Sequence, residues 1–339
     1  MSEQRNQIIG IRHGGGGEDM RRLIAEEIQS RFDNQYMRSL GDAASLSLPG
    51  GARLAFTTDS YIIDPPFFPG SDIGYLAVCG TVNDLAVSGA SPRWLSCGLI
   101  IEEGFPLADL RRVLDSMARA ADEAGVEIVT GDTKVVPRGG ADRIFINTAG
   151  VGVLADDECI DIRSCSPGDA LIVSGPVGSH GAAVMLARED YGIESDLVSD
   201  VAPLAGQAAA LKAACPTVRF MRDPTRGGLA GVFTEITEAA GVGIELDETS
   251  VPVLEPVRSI CELLGFDPLY LANEGIMLAV VPEAESGRAI DSLSAAGATA
   301  PAVVGRVVAD ELRIINVRTE IGGQRILPPP GGELLPRIC

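Results

Sequence analysis

The sequence predicts a two-domain protein of mixed α/β class, and three observations carry that reading. The chain has 339 residues, 46% of them hydrophobic, enough to bury two ordinary cores. β-Branched runs alternate with helical patterns in both halves. Between the halves, around residues 155–168, the chain turns polar and loop-like, with Ser164, Ser166, Pro167 and Gly168. The expected division is 1–158 for an N-terminal domain, 159–325 for a C-terminal α/β domain and 326–339 for a tail.

In the first half, β-branched runs bounded by Gly, Asp or Pro place strands at Arg53–Ile63, Val126–Val136 and Arg143–Val153. Helices are expected at Gly74–Ser88 and Pro106–Ala124. The second carries Leu107, Leu110, Val113, Leu114 and Met117 on one face, a core stripe. The second half reads as a strand at Ala170–Ser174, helices over Val201–Ala214 and Arg226–Ala240, and strands near Ile244–Leu246 and Gly275–Val281. A helix at Pro282–Ala295 and strands at Ala302–Val308 and Leu312–Val317 close it; the pattern leaves strand order open. In the tail, Pro328-Pro329-Pro330 favours an extended segment and Gly331-Gly332 supplies a hinge, so it reads as a tethered, flexible arm.

Composition removes several function classes. With 27 Lys+Arg against 47 Asp+Glu the formal charge is −20, the wrong sign for a nucleic-acid backbone or an anionic membrane surface. No basic-then-apolar leader opens the sequence and no apolar run approaches the roughly 18 residues of a spanning helix, so a cytoplasmic protein is expected. The seven cysteines are odd in number and lack any C-x-x-C pair, which supports neither a disulfide framework nor a zinc site. Only His13 and His180 are present, and a hydrolase triad would have to use one of them. Chemistry must rest mainly on carboxylates, lysine, backbone amides and sulfur.

Acidic residues recur at strand ends and loops beside Gly, Thr or Asn: Gly41-Asp42, Thr57-Thr58-Asp59-Ser60, Asn83-Asp84, Gly131-Asp132-Thr133 and Asp223-Pro224-Thr225-Arg226-Gly227-Gly228. Singly each is a turn former or cap. As a set they suit a metal–nucleotide site, because Mg²⁺ takes carboxylate oxygens and fills its shell with water and substrate phosphates. Asp223-Pro-Thr-Arg-Gly-Gly precedes a helix, so Thr225 or Asp223 is the expected cap, with free amides and Arg226 facing a phosphate. Gly14–Gly17 allows close backbone approach but lacks the P-loop pattern. Lys134 can bind phosphate or, desolvated, move a proton; Asn273-Glu274-Gly275 sets a carboxylate at a strand mouth. Cys339 ends the chain, whereas a prenylation signal needs its cysteine fourth from the end, and it sits on an arm whose last twelve residues reach at most about 40 Å.

Thr57-Thr-Asp-Ser-Tyr-Ile-Ile-Asp-Pro-Pro-Phe-Phe-Pro-Gly70, Cys79-Gly-Thr-Val-Asn-Asp-Leu-Ala-Val-Ser-Gly89, Gly131-Asp-Thr-Lys-Val-Val136, Asp223-Pro-Thr-Arg-Gly-Gly228, Ala272-Asn-Glu-Gly275 and Pro336-Arg-Ile-Cys339 closely resemble the HypE family of hydrogenase maturation factors. That family is similar to aminoimidazole ribonucleotide synthetase and selenophosphate synthetase. The resemblance implies an N-terminal sheet domain that pairs into a dimer barrel, a C-terminal α/β domain, and ATP with Mg²⁺ between them. It implies an ATP-dependent carbamoyl dehydratase acting on its own Cys339: the carbamoyltransferase HypF loads the thiol, dehydration gives a thiocyanate, and cyanide passes to iron on a HypC–HypD scaffold for [NiFe]-hydrogenase. By carry-over, Asp42, Asp59, Asp84 and Asp223 are implied for metal. Asp59, Asn83, Asp132, Thr133, Thr225, Arg226 and Gly227 are implied around the nucleotide, and Cys339, Lys134 and Glu274 for chemistry, with the choice of base between the last two open. The absence of any cysteine before Cys79 argues against selenophosphate synthesis. Two other readings stand beside this one: an ATP-using enzyme acting on a free small molecule, and a scaffold that presents its tail.

Overall fold

The structure, a computed structural model, describes residues 8–15, 17–32, 34–37, 41–155, 160–188, 191–331 and 338–339. It is mixed α/β with two main sheets. Helix α1 (Glu18–Leu23) runs on into a π-helical turn at Ile24–Gln29 and buries no residue. Its N-cap, Gly17, lies so near Pro330 that a Cβ there would sit 3.0 Å from the Pro330 carbonyl oxygen. Gly17 therefore packs against the tail at Pro330 and Gly331.

The first sheet is built from β1 (Ala44–Ser47), β2 (Arg53–Tyr61), β5 (Ser91–Glu102), β6 (Glu127–Val136) and β7 (Ile144–Leu154), in the order β1-β2-β7-β5-β6; the short strands β3 (Phe67–Phe68) and β4 (Ser71–Asp72) pair separately. Only β5 and β6 run parallel. Helix α2 (Ile73–Val87) starts where Asp72 accepts the Gly74 and Tyr75 amides, and every residue of it except Asp84 is buried. Such a helix is apolar all round because it is covered on all sides. The sheet and α3 (Leu107–Ala124) pack on it through Leu76, Leu95, Val113 and Met117. Its far end, Ala86 and Val87, joins the core of the second half. β6 is different: all its residues but Val136 are exposed, and its outer edge is unpaired among the described residues.

The second sheet comprises β8 (Asp169–Val173), β9 (Phe220–Arg222), β10 (Gly243–Asp247), β11 (Leu278–Pro282), β12 (Ala302–Val308), β13 (Ile315–Arg318) and β14 (Gln324–Ile326), in the order β14-β13-β10-β12-β8-β11-β9. Alternation along β8 sends Leu171 and Val173 to one face, under α6 (Gly228–Ala240), and Ala170 and Ile172 to the other, under α5 (Ala205–Ala214) and α8 (Ser286–Ala295). Helices α4 (Ser179–Arg188) and α7 (Glu255–Leu264) pack together beside them. No helix among the described residues is long and apolar enough to cross a membrane.

Several element boundaries shift from the sequence expectation. β5, α4 and α7 had no counterpart in it. The helix expected from Val201 starts at Ala205, because Ala202 precedes Pro203 and is held extended, its amide donating to the Glu274 carbonyl at 3.3 Å. The strand expected from Gly275 starts at Leu278, and the one from Leu312 at Ile315. Glu283–Glu285 is a 3₁₀ turn ahead of α8.

Candidate functional site

The segment before β1, the one half-buried position of α2 and the β9–α6 loop converge between the two halves. Asp42, Asp84 and Asp223 each present a carboxylate oxygen within 4.8 Å of the others, from positions far apart in the chain. The Thr57 hydroxyl lies 2.7 Å from the Asp42 carbonyl and 2.9 Å from the Asp84 carboxylate, tying β2 to α2 at this point. Arg222 Nε reaches Asp42 at 2.7 Å, and its Nη1 reaches Glu235 at 3.1 Å. Burial raises all three carboxyls, Asp42 to about 8 and Asp223 to about 6, with Arg222 opposing for those two. Asp84 is raised by burial and by the charges of Asp223, Asp42 and Asp59. Three carboxylates repelling one another, Asp223 buried and the other two half-buried, form an all-oxygen donor set that fits a hard divalent cation such as Mg²⁺, whose charge relieves the repulsion.

Beside this triad lies the end of the chain. Arg226 Nε donates to the Cys339 sulfur at 3.3 Å, and Arg226 Nη2 lies 3.6 Å from Asp59. The Ile62 amide donates to a terminal carboxylate oxygen of Cys339 at 3.2 Å. Cys339 is half-buried, and burial pushes its thiol up to about 11, with Arg226 pulling down and Glu274 pushing up. Glu274 is 2% exposed and its Oε1 has no hydrogen-bond partner. Burial holds its carboxyl well above the ordinary range, with Asp223, Asp200 and Asp59 adding to the push and Arg226 opposing. A cavity of about 420 Å³ opens next to the thiol, with Gly14, Gly15, Ser60, Arg226 and Tyr270 among its walls.

Helix α6 corrects the expected cap. Its N-cap is Gly227, in the left-handed conformation (φ 80°) and without a side-chain cap, so neither Thr225 nor Asp223 caps the helix. Thr225 instead closes a turn, its carbonyl accepting the Gly228 amide at 3.0 Å. Gly227 and Arg226 both face the cavity. Asn83, by contrast, is fully engaged: its amide donates to the Ala202 and Glu274 carbonyls at 3.1 and 3.2 Å and its oxygen accepts the Leu204 amide at 2.7 Å. In this chain it joins the two halves.

Asp132, Thr133 and Lys134 stand apart from the other expected site residues. They lie on β6, three strands from β2 and on the order of 14 Å across the sheet. There Lys134 pairs with Asp132 at 2.7 Å, both well exposed. Sequence reasoning also passed over Asp200, His180 and Arg222. Asp200 is the most informative: its carboxylate accepts the Glu274 and Gly275 amides at 3.2 and 3.1 Å, so it fixes the loop that carries Glu274. A Cβ at Gly275 would run into the Asp200 carbonyl, which is why that position is glycine. Nothing local marks Asp200, since its partners lie 74 and 75 residues away.

Comparison with known proteins bears on this geometry. Residues 40–154 match the AIR synthase related protein N-terminal domain and residues 166–317 the AIR synthase related protein C-terminal domain. The chain is 49% identical over 338 residues to carbamoyl dehydratase HypE of Rhodobacter capsulatus, covering 99% of each. It is similar to the crystal structure of a HypE–HypF complex, with a TM-score of 0.85 at 45% identity over 91% of this chain and 99% of that one. A HypE crystal structure in complex with ATP matches with a TM-score of 0.80 at 44% identity, over 98% and 100% respectively.

Proposed function

This chain belongs to the HypE family of carbamoyl dehydratases, and we propose that it uses ATP to dehydrate a carbamoyl group carried on its own Cys339. The product is a thiocyanate, the source of the cyanide ligands of iron in [NiFe]-hydrogenase maturation. The observation that carries this reading is the docking of the C-terminal thiol against Arg226, beside the buried Glu274 and next to the Asp42–Asp84–Asp223 triad.

An amide oxygen is a poor leaving group. Transfer of the γ-phosphoryl group of ATP to that oxygen makes it a good one; loss of the phosphate with both N–H protons leaves S–C≡N, ADP and phosphate. Phosphoryl transfer needs positioning and charge neutralisation more than covalent help. Arg226, fixed by Asp59, is placed to hold phosphate oxygens, with the Gly227 and Thr225 backbone around them. Asp42, Asp84 and Asp223 would hold Mg²⁺, which supplies charge neutralisation at the phosphates. Glu274, with its free oxygen and raised affinity for protons, is the candidate within this chain to take a proton from the nitrogen.

Lys134 and Asp132 enter such a site only through a second copy. The exposed β6, whose outer edge has no partner among the described residues, is a surface suited to homodimerisation through the first sheet, and in that arrangement Lys134 stands as the alternative base. HypF, which co-crystallises with a relative, is the proposed donor of the carbamoyl group, with the HypC–HypD iron scaffold as the acceptor of cyanide. Loading requires the tail to leave the pocket, since one thiol must visit two centres.

The test is the mass of the C-terminal peptide after incubation with HypF, carbamoyl phosphate and Mg·ATP, compared with a non-hydrolysable analogue. Carbamoylation of Cys339 followed by ATP-dependent loss of one water is the expected result. A cysteine left unmodified under competent conditions moves the assignment to an enzyme acting on a free substrate.

A further inference from the structure

His180 is the second residue of α4 and wholly buried, an uncommon place for an imidazole. Both ring nitrogens are engaged: Nδ1 lies 2.8 Å from Ser199 Oγ and Nε2 lies 2.5 Å from the Ile338 carbonyl oxygen. A carbonyl only accepts, so Nε2 carries the proton. In the neutral ring Nδ1 is then bare and must accept from the Ser199 hydroxyl, whose oxygen in turn receives the Val201 amide at 3.2 Å. Burial lowers the imidazole to about 4, which keeps the ring neutral. Phe68 stands edge-on to it at 5.5 Å between ring centroids and fixes its plane.

The other end of this contact is equally specific. Ile338 is 7% exposed, its side chain seated in the core with Phe68, Val184 and Ala272. The next residue is held by the Ile62 amide and by Arg226. Without the tail, the Nε2–H of His180 would be a donor lining an apolar seat, a costly state for a buried polar group. These groups are therefore complementary to one peptide carbonyl followed by one thiol.

We propose that His180 and Ser199 form a latch that recognises the penultimate peptide of the chain's own C-terminus and thereby sets the docked position of Cys339. They are positioning residues and touch no reacting atom. Their value to catalysis rests on the dehydratase reading above, but the latch itself does not and is tested without turnover.

The chain has only two histidines, so ¹⁵N-histidine NMR of the full protein separates His180 from His13 as an internal reference. The expected spectrum shows His180 as a single Nε2–H tautomer. Deleting Ile338 and Cys339 is expected to shift its signals and mix the tautomers, leaving His13 unchanged; Ser199→Ala, with the tail in place, is expected to shift the Nδ1 signal while the Ile338 carbonyl keeps the proton on Nε2. In parallel, His180→Leu should raise the rate of Cys339 alkylation about tenfold. His180→Gln, which keeps a donor, should recover most of the protection. His180 signals indifferent to truncation overturn the latch, as do alkylation rates within twofold of one another for parent, Leu and Gln variants. Should His180→Leu fail to fold, the truncation decides alone, since it removes only the chain end. An intact latch with no loss of water from carbamoylated Cys339 would instead count against the dehydratase reading.

Discussion

The docked thiol makes a quantitative prediction about its own reactivity. In the pocket Cys339 is pushed up to about 11, against 9.0 for an ordinary thiol on the same scale. Each unit is a factor of ten, so at any pH below 9 the docked residue carries about one-hundredth of the thiolate of a released one. The perturbation is pH, from 7 to 10, with a synthetic peptide of the last four residues as the released reference. The assay is a short iodoacetamide pulse followed by mass measurement of the C-terminal peptide. At pH 8 the protein should alkylate about 100-fold more slowly than the peptide. The sign of the pH effect follows from linkage: a group whose docked pKa is raised supports docking fully below 9.0 and loses that support as pH rises toward 11. The protection ratio should therefore be flat below pH 9 and close above it. Equal rates for protein and peptide at pH 8 would refute the burial argument, and a ratio that stays constant to pH 10 would show that burial does not act on the thiolate.

Glu274→Gln preserves size but removes the carboxylate that accepts a proton; it is expected to slow the water-loss step by about 100- to 10,000-fold while leaving carbamoylation intact, as mass measurement would show. Asp84→Asn breaks the carboxylate triad, and calorimetric titration should find ATP affinity in Mg²⁺ weakened on the order of tenfold or more, with Mg²⁺-free binding unchanged. Gly275→Ala drives a methyl group into the Asp200 carbonyl and should lower stability by about 3 kcal/mol in denaturant unfolding. Mixing Lys134→Ala with Cys339→Ala chains should restore part of the activity that neither has alone; failure of the mixture would remove Lys134 from any site shared between copies.

The sequence shows most plainly those elements whose burial is one-sided or whose pattern is long. α3 is legible because Val113 and Met117 fall on a stripe with Leu110, and β7 because its buried residues alternate with more open ones. β5 was hidden: Pro92 and Gly98 break the run, and its pairing on both sides lets exposed and partly buried residues mix without alternation. α7 opens with Pro256 near its start, a helix-initiating signal that reads equally as a turn. Among site residues, the aspartates next to Gly or Thr were visible as loop carboxylates, but composition cannot say that Asp42, Asp84 and Asp223 meet. That depends on α2 running beside β2 and on the β9–α6 loop crossing from the other half. At Gly131-Asp132-Thr133-Lys134 the strand expected over Val126–Val136 is present, but the sequence could not say that it lies at the sheet edge, three strands from β2. Asp200 and His180 escaped because each serves the backbone of a segment remote in sequence.

If Cys339 carries the reacting group, as proposed, placing that sulfur on the chain's own end changes the kinetic order of whatever happens there. The thiol meets Arg226 as an intramolecular event, at an effective concentration set by its covalent tether. Conversion of a loaded tail should therefore follow first-order decay at every protein concentration, and micromolar amounts of a free peptide with the same ending should not slow it. On the proposed reading such a protein would have no Michaelis constant for its carried group; its output would be counted in equivalents, one per loading, and the pace of the whole cycle would fall to the steps that fill and empty the arm.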